Sequence, residues 1–239
     1  MSYTESIFLV VDLGNTDLKF AFFGQKLLLT GRGKDTLQQA LTTQNYDFSL
    51  ISSVAEDSVL LEIASLIPKA FVLNPLLEIP LDNNYATPHT LGQDRLANAV
   101  ALCHLSKGKA AVSIDCGTCL KFDFVDEFGV YQGGSISPGI NMRFKAMNQF
   151  TANLPLIEKW QEVDLIGKDT KSSMISGVIN GMRSEINETI ARYLQHNEKL
   201  TIYLTGGDAS HFENAIKYPI FADPNLTLFG LKLILEANV

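Results

Sequence analysis

Apolar residues fall in short runs separated by turn residues along the whole chain, and their spacing alternates between strand and helix periods. Ile7 to Val11 is a continuous β-rich run closed by Asp12 and Gly14, the pattern of a strand buried on both faces. Lys19 to Phe23 alternates as a return strand, and Lys26 to Thr30 predicts a third that completes a meander. Asp35 to Thr42 predicts a helix and Phe48 to Val54 a buried strand. Glu56 to Leu66 carries Val59, Leu60, Ile63 and Leu66 at helical spacing and stops before Pro68; Lys69 to Leu73 predicts a short strand. Asn74 to His89 is rich in Pro and Asn and has no period, a long loop of a kind that is often functional. From Gly92 to about Leu105 a further helix presents Leu96, Ala99, Val100 and Cys103, and Ser106 to Lys109 reads as a linker.

The second half continues in kind. Val112 to Phe124 predicts another strand pair, and Gly129 to Ile136 a strand with Gly133 and Gly134, closed by Ser137, Pro138 and Gly139. A helix runs through Arg143 to Phe150. Lys171 to Gln195 is the longest helical stretch, with Gly177 and Gly181 allowing close packing or local bends. Leu200 to Leu204 predicts a buried strand that ends in Thr205, Gly206, Gly207 and Asp208 with a helix behind it, and Leu226 to Glu236 closes the chain as a helix. A meander followed by alternating helix and strand predicts an α/β layer with a mixed sheet, and the linker at Ser106 to Lys109 is where a division into two halves, 1–108 and 109–239, would fall.

One pattern recurs. Asp12-Leu13-Gly14-Asn15-Thr16-Asp17-Leu18-Lys19-Phe20 is echoed by Asp115-Cys116-Gly117-Thr118-Cys119-Leu120-Lys121-Phe122, about half a chain later. A lone Asp-x-Gly turn is most often simply a hairpin, but self-similarity at this distance implies two copies of one supersecondary unit. Gly14 suits a tight turn that presents N–H groups, and Thr16 adds a hydroxyl. Two such turns facing each other would form a cleft able to grip one polyphosphate, with Asp carboxylates suited to cations. Gly206 and Gly207, at a strand-to-helix turn, would let backbone approach a nucleoside or phosphate. Asp94, in the first turn of its helix, either complements the helix dipole or takes part in chemistry.

Composition narrows the class. At 239 residues, 46% hydrophobic and 19% charged, the chain has the makeup of a folded domain or two small ones rather than a disordered one. A net charge of -7 with no basic cluster argues against nucleic-acid binding. No stretch approaches the roughly 18 apolar residues of a membrane span, and Met1 to Glu5 lacks the cationic start of a signal peptide, so a cytoplasmic location is expected. Cys116 and Cys119 have Cys-x-x-Cys spacing, but no second pair exists to complete a structural zinc site, and the four His residues are scattered; the cysteines read as small buried thiols.

The ordered set resembles one family, type III pantothenate kinase, of the acetate kinase, sugar kinase and actin superfamily. The matching pieces are Asp12-x-Gly-Asn-Thr-x-x-Lys19, Gly92-x-Asp-Arg95, Asp115-x-Gly-Thr118, Gly133-Gly-x-Ile-x-Pro-Gly139, Thr151-Ala-x-Leu-Pro155, Thr205-Gly-Gly-Asp-Ala209 and Pro224-x-Leu-x-Leu-x-Gly-Leu231, in the family's order from end to end. The resemblance implies two ribonuclease H-like (actin-like ATPase) halves with mixed sheets around a central nucleotide cleft. It also implies ATP-dependent phosphorylation of pantothenate to phosphopantothenate, the first step of coenzyme A biosynthesis. By position, Asp12, Leu13, Gly14, Asn15, Thr16, Asp17, Leu18 and Lys19 would form the first phosphate loop, with Asp12 near Mg2+. Thr118, Gly206 and Gly207 would contact ATP, and Asp115 would hold a monovalent cation, K+ or NH4+. Tyr85, Gly92, Gln93, Asp94, Arg95 and Thr170 would bind pantothenate, with Asp94 as proton acceptor. A homodimer whose interface completes the substrate pocket is implied as well.

Cys116 and Cys119 depart from the family, which commonly has alanine at one or both places; the changes are small for small, and thiol sensitivity is the hypothesis they raise. Two other readings share the fold. Another small-molecule kinase is one, although the Cys/His zinc cluster frequent in sugar kinases is missing. A regulatory accessory protein is the other, although such a protein has no need to keep Asp94 and both turn Asp residues.

Overall fold

The computed structural model describes residues 6–14 and 17–239. Asn15 and Thr16, expected in the first phosphate loop, lie outside the described residues. In chain order the elements begin with β1 (Phe8–Leu13), β2 (Leu18–Phe23), β3 (Leu27–Arg32), α1 (Lys34–Thr43), β4 (Phe48–Ser53), α2 (Asp57–Leu66), β5 (Phe71–Val72), β6 (Asp82–Asn83) and α3 (Gln93–Ser106). They continue with β7 (Ala111–Cys116), β8 (Cys119–Val125), β9 (Val130–Pro138), α4 (Ile140–Phe150), α5 (Thr170–His196), β10 (Thr201–Thr205), β11 (Phe221–Ala222) and α6 (Leu226–Glu236). The chain divides into two compact units. One takes the residues up to Lys107 with Gly129–Gln132 and Asn225–Val239; the other takes Gly108–Phe128 and Gly133–Pro224.

In the first unit the sheet order is β3-β2-β1-β4-β5, with β1 central, antiparallel to β2 and parallel to β4. Successive side chains of a strand point to opposite faces. Leu9, Val11 and Leu13 pack with Leu37 of α1 and Ile63 of α2, whereas Phe8 and Val10 pack with Ala97 and Val100 of α3 and Leu231 and Leu235 of α6. Helices on both faces explain why β1 reads as an unbroken apolar run. Asp12 continues the even series, which places it on the sheet face that α3 covers.

α3 and α6 lie unusually close. A Cβ added at Gly230 of α6 would sit 1.9 Å from the carbonyl oxygen of Ala97 in α3, so only glycine fits that crossing. Gly177 and Gly181 of α5 differ: among the described residues an added Cβ meets no atom within 4 Å at either, so close packing against those residues does not require glycine there.

The second unit carries β11-β10-β7-β8-β9, with β7 parallel to β10 and antiparallel to β8. Val112, Ile114 and Cys116 of β7 face Ile140 and Phe144 of α4 and a row of α5 residues from Met174 to Ile190. Of the other β7 positions, Ala111 is apolar, whereas Ser113 and Asp115 are polar yet buried, and their cross-strand neighbours on β8 are Asp123 and Lys121.

Three segments differ from the pattern-based expectation. The stretch Asn74 to His89 is not wholly irregular, since β6 pairs in parallel with Val130 and Tyr131, and a 3-10 turn covers Pro88–Thr90. Behind Asp208 there is no α-helix but two 3-10 turns, Ala209–His211 and Glu213–Ala215, anchored by the fully buried Phe212. β11 is a two-residue strand fixed by its pairing with Tyr203 and Leu204 of β10 rather than by any local apolar run.

Candidate active site

In the first unit the expected acceptor residues converge at the start of α3. Gly92 is the N-cap, without a side-chain cap, and Asp94 lies in the first turn. The Asp94 carboxylate folds back over the helix end: Oδ1 accepts the Arg95 backbone N–H at 2.8 Å, and a Cβ at Gly92 would fall 2.8 Å from that same oxygen. Glycine at 92 therefore leaves the room that the carboxylate occupies. Arg95 is buried, its guanidinium 5.7 Å from the centre of the Tyr85 ring, a cation–π arrangement. Tyr85 in turn lies 6.0 Å, centre to centre, from Tyr131, and the Asn84 N–H donates to the Tyr131 carbonyl at 2.9 Å. The β6–β9 pairing thus carries Tyr85 to Arg95.

Gln93 is committed to the scaffold. Its Oε1 accepts the Ser53 N–H at the end of β4 at 2.9 Å, and its Nε2 donates to the Leu73 carbonyl at 3.1 Å. Those two bonds fix the start of α3 to the sheet. Beside it opens a pocket of about 650 Å³ whose lining includes Leu73, Ile79, Leu81, His89, Leu91 and Gln93.

Asp12 sits opposite Lys19 across the β1–β2 ladder and beside Ser52 of β4, whose hydroxyl lies 3.4 Å from Asp12 Oδ1. Gly14 donates its N–H to the Asp17 carbonyl at 3.0 Å, closing the hairpin rather than pointing outward, and Asp17 pairs with Arg32 at the surface. Leu13 and Leu18 pair with each other and are buried in the core.

The second turn repeats this architecture one residue shorter. Gly117 donates to the Cys119 carbonyl at 3.1 Å, and Asp115 stands opposite Lys121 as Asp12 stands opposite Lys19. Thr118 is exposed at the tip. Two glycine segments brace the turn from behind. A Cβ at Gly139 would fall 2.2 Å from the Gly117 carbonyl oxygen, and one at Gly206, where φ is +99°, would fall 2.3 Å from that of Cys116. The Asp208 N–H donates to the same Cys116 carbonyl at 2.8 Å. Gly206 is thus a packing glycine, while Gly207 is exposed. Burial first, then the Asp115 and Asp208 carboxylates, push the Cys116 thiol well above its ordinary range.

Thr170 is exposed at the start of α5, just after Asp169, which caps the helix in a reciprocal capping box with Ser172. Sequence reasoning gave no role to two further features. One is Lys121, whose ammonium lies 2.7 Å from Asp115 Oδ2. The other is a network in which Glu185 of α5 accepts from Ser137 at 2.5 Å and from Arg143 at 2.5 Å, tying α5 to the end of β9 and the first turns of α4. A carboxylate and a cation separated by six positions carry no local signal; only the hairpin register brings Asp115 and Lys121 together.

Mixed sheets flanked by helices, each with an Asp-Gly turn at the end of its central strand, define the actin-like ATPase and sugar kinase fold. Solved structures agree at the level of fold. A Campylobacter jejuni protein described as a Baf family transcriptional activator superposes with a TM-score of 0.61 at 22% identity, over 96% of this chain and 98% of that one. The inorganic polyphosphate/ATP-glucomannokinase of Arthrobacter gives 0.51 at 12%, over 97% and 99%. The chain belongs to the type III pantothenate kinase family, whose model matches residues 8–192. Proteins named type III pantothenate kinase from Christiangramia forsetii and Cytophaga hutchinsonii are each 42% identical to it, over 96% and 97% of this chain and 98% and 99% of theirs.

Proposed function

We propose that the protein transfers the γ-phosphoryl group of ATP to the primary hydroxyl of pantothenate, the first step towards coenzyme A, and that it acts as a cytoplasmic homodimer whose interface completes the substrate pocket. The observation that carries this reading is the gathering of Gly92, Asp94, Arg95 and Tyr85 at the start of α3, in a chain of this family. Phosphoryl transfer needs mostly alignment and charge neutralisation, with one group to take the acceptor proton. Asp94 takes that proton as the new O–P bond forms and the bond between the β- and γ-phosphates breaks, releasing ADP. Arg95 is permanently cationic and held against Tyr85, so its planar donors face an anionic or amide-bearing substrate in fixed orientation. Gln93 acts as a positioning residue through its two backbone bonds. Thr170 supplies a hydroxyl to the substrate, and Thr118 and Gly207 contact the nucleotide.

The Asp12 carboxylate, to which the buried Ser52 hydroxyl donates at 3.4 Å, offers hard oxygen donors of the kind that would hold Mg2+, an ion commonly held by one or two carboxylates with substrate phosphates and water completing its sphere. Bound there, the ion supplies charge neutralisation on the phosphates. No group of three or more His, Cys, Asp or Glu side chains that could hold a metal ion occurs among the described residues. No helix among them is long and apolar enough to cross a membrane. A regulatory role on the same fold is not favoured, since the relatives are named as kinases along nearly their full length.

The test is direct detection of phosphopantothenate by mass spectrometry after incubation with ATP, Mg2+ and pantothenate. Product formation in proportion to enzyme is expected. Absence of product, with phosphorylation of a different small alcohol, overturns the substrate assignment.

A further inference from the structure

The carboxylate that the family resemblance assigns to a monovalent cation already has a cation of its own. Asp115 is the penultimate residue of β7, with only 7% of its surface exposed, and a carboxylate so enclosed requires a compensating charge. Lys121 meets that need from directly across the β7–β8 ladder. Its ammonium lies 2.7 Å from Oδ2, with the two side chains only 14% and 10% exposed. The other oxygen, Oδ1, lies close against the Gly206 backbone, where an added Cβ would fall 2.6 Å from it. A lysine head group is an alkylated ammonium ion, with the same single charge as K+ or NH4+ and three N–H donors. A K+ or NH4+ ion at Asp115 would meet a neutralised carboxylate and a like charge at contact distance. The donor set does not fit a bound monovalent cation.

We infer that Lys121 supplies from within the chain the single positive charge at Asp115, so that the enzyme works without K+ or NH4+. The inference rests on the kinase activity proposed above and changes what that activity requires. Lys121 is a positioning residue, holding Asp115 and with it the second Asp-Gly turn.

The experiment compares phosphopantothenate formation in K+, NH4+, Na+ and choline chloride at equal ionic strength, read by mass spectrometry, because many coupling enzymes are themselves K+-dependent. Wild-type rates are expected to agree within about twofold, the residue of general screening differences. Lys121→Met keeps the aliphatic stem and removes the charge. It is expected to lose roughly tenfold or more of its activity in choline, because a buried carboxylate loses its partner, and to recover with NH4+ or K+. A fold defect alone would not be rescued by a small cation. Activation of the wild-type enzyme severalfold by K+ or NH4+ over Na+ overturns the inference, as does a Lys121→Met variant that is fully active in choline. ATP affinity measured by calorimetry in the same salts gives a reading independent of pantothenate. Salt-insensitive affinity supports the inference even if pantothenate proves not to be the acceptor, and K+-dependent affinity overturns it. Lack of product in every salt, with ATP still bound, counts against the substrate assignment alone.

Discussion

Replacing Gly230 by alanine tests how α3, and the site at its start, is held. The added methyl would sit 1.9 Å from the Ala97 carbonyl oxygen and 2.5 Å from its carbon, where ordinary contact begins at 3.4 Å. α6 would have to withdraw from α3 by about 1.5 Å, far more than a packed interior absorbs without loss. Overpacking costs about 1–3 kcal/mol, and a clash with backbone belongs to the upper part of that range, about 2–3 kcal/mol. Against it stands the better helix propensity of alanine, worth up to about 1 kcal/mol. The net loss is about 1–2 kcal/mol, and for a chain of this length each kcal/mol moves the melting temperature by about 2–4 °C. Scanning calorimetry of Gly230→Ala is therefore expected to show a fall of about 2–8 °C. Gly177→Ala in α5, where the methyl meets no atom of the described residues within 4 Å, is the matched control and is expected to melt at or above the wild-type temperature. Because the first turn of α3 carries Asp94 and Arg95, Gly230→Ala is also expected to raise the KM for pantothenate more than that for ATP. An unchanged or raised melting temperature in Gly230→Ala would refute the packing argument.

Three further outcomes follow from the second unit. Cys116 is fully buried and its thiol is pushed up, so iodoacetamide on the native protein is expected to label Cys103 and Cys119 and spare Cys116; labelling of all three at equal rates in peptide mass spectra would show that the second turn opens. Gly206→Ala combines a positive φ with a clash against the Cys116 carbonyl and is expected to cost about 1–3 kcal/mol in urea unfolding; a wild-type midpoint would contradict the packing role. The Asp169 carboxyl is held below its ordinary range, chiefly by the Ser172 N–H and then by the Ser172 hydroxyl. A lowered native value means that the cap stabilises α5 above the unfolded carboxyl range and that this is lost as pH falls through the native value. Asp169→Ala is expected to melt below wild type at neutral pH, with the gap closing in acid; a pH-independent gap would remove the ionised cap from the explanation.

Much of the scaffold is legible from local pattern because its elements are long and two-faced. β1, buried between helices on both sides, shows as an unbroken apolar run, and α6 shows its bounds because its apolar spacing spans its whole length. β6 and β11 are not legible, since two residues carry no period and each exists only through its partner strand. The helix expected after Asp208 fails for a related reason: Phe212 is buried in place, and the chain around it turns in 3-10 steps. At the site, residues adjacent in sequence, Gly92 to Arg95, were visible as a group, and Tyr85 could be added by resemblance, but not the pairing through Tyr131 that fixes it. Gly206 is legible as a glycine at a strand end, but its close approach to the Cys116 carbonyl depends on how two strands pack and leaves no local signal. Lys121 was visible in the repeat, yet its ion pair with Asp115 depends on a cross-strand register that spacing alone does not state.

The phosphoryl-acceptor role of the α3 start is tested most directly by Asp94→Asn, with turnover and ligand binding measured on the same preparation. Asparagine keeps the size and the hydrogen bond to the Arg95 N–H but cannot take a proton. A fall in kcat of about 10²–10⁴-fold is expected, with calorimetric affinities for ATP and pantothenate largely kept. A variant that turns over pantothenate at the wild-type rate would contradict the assignment of proton acceptance to Asp94.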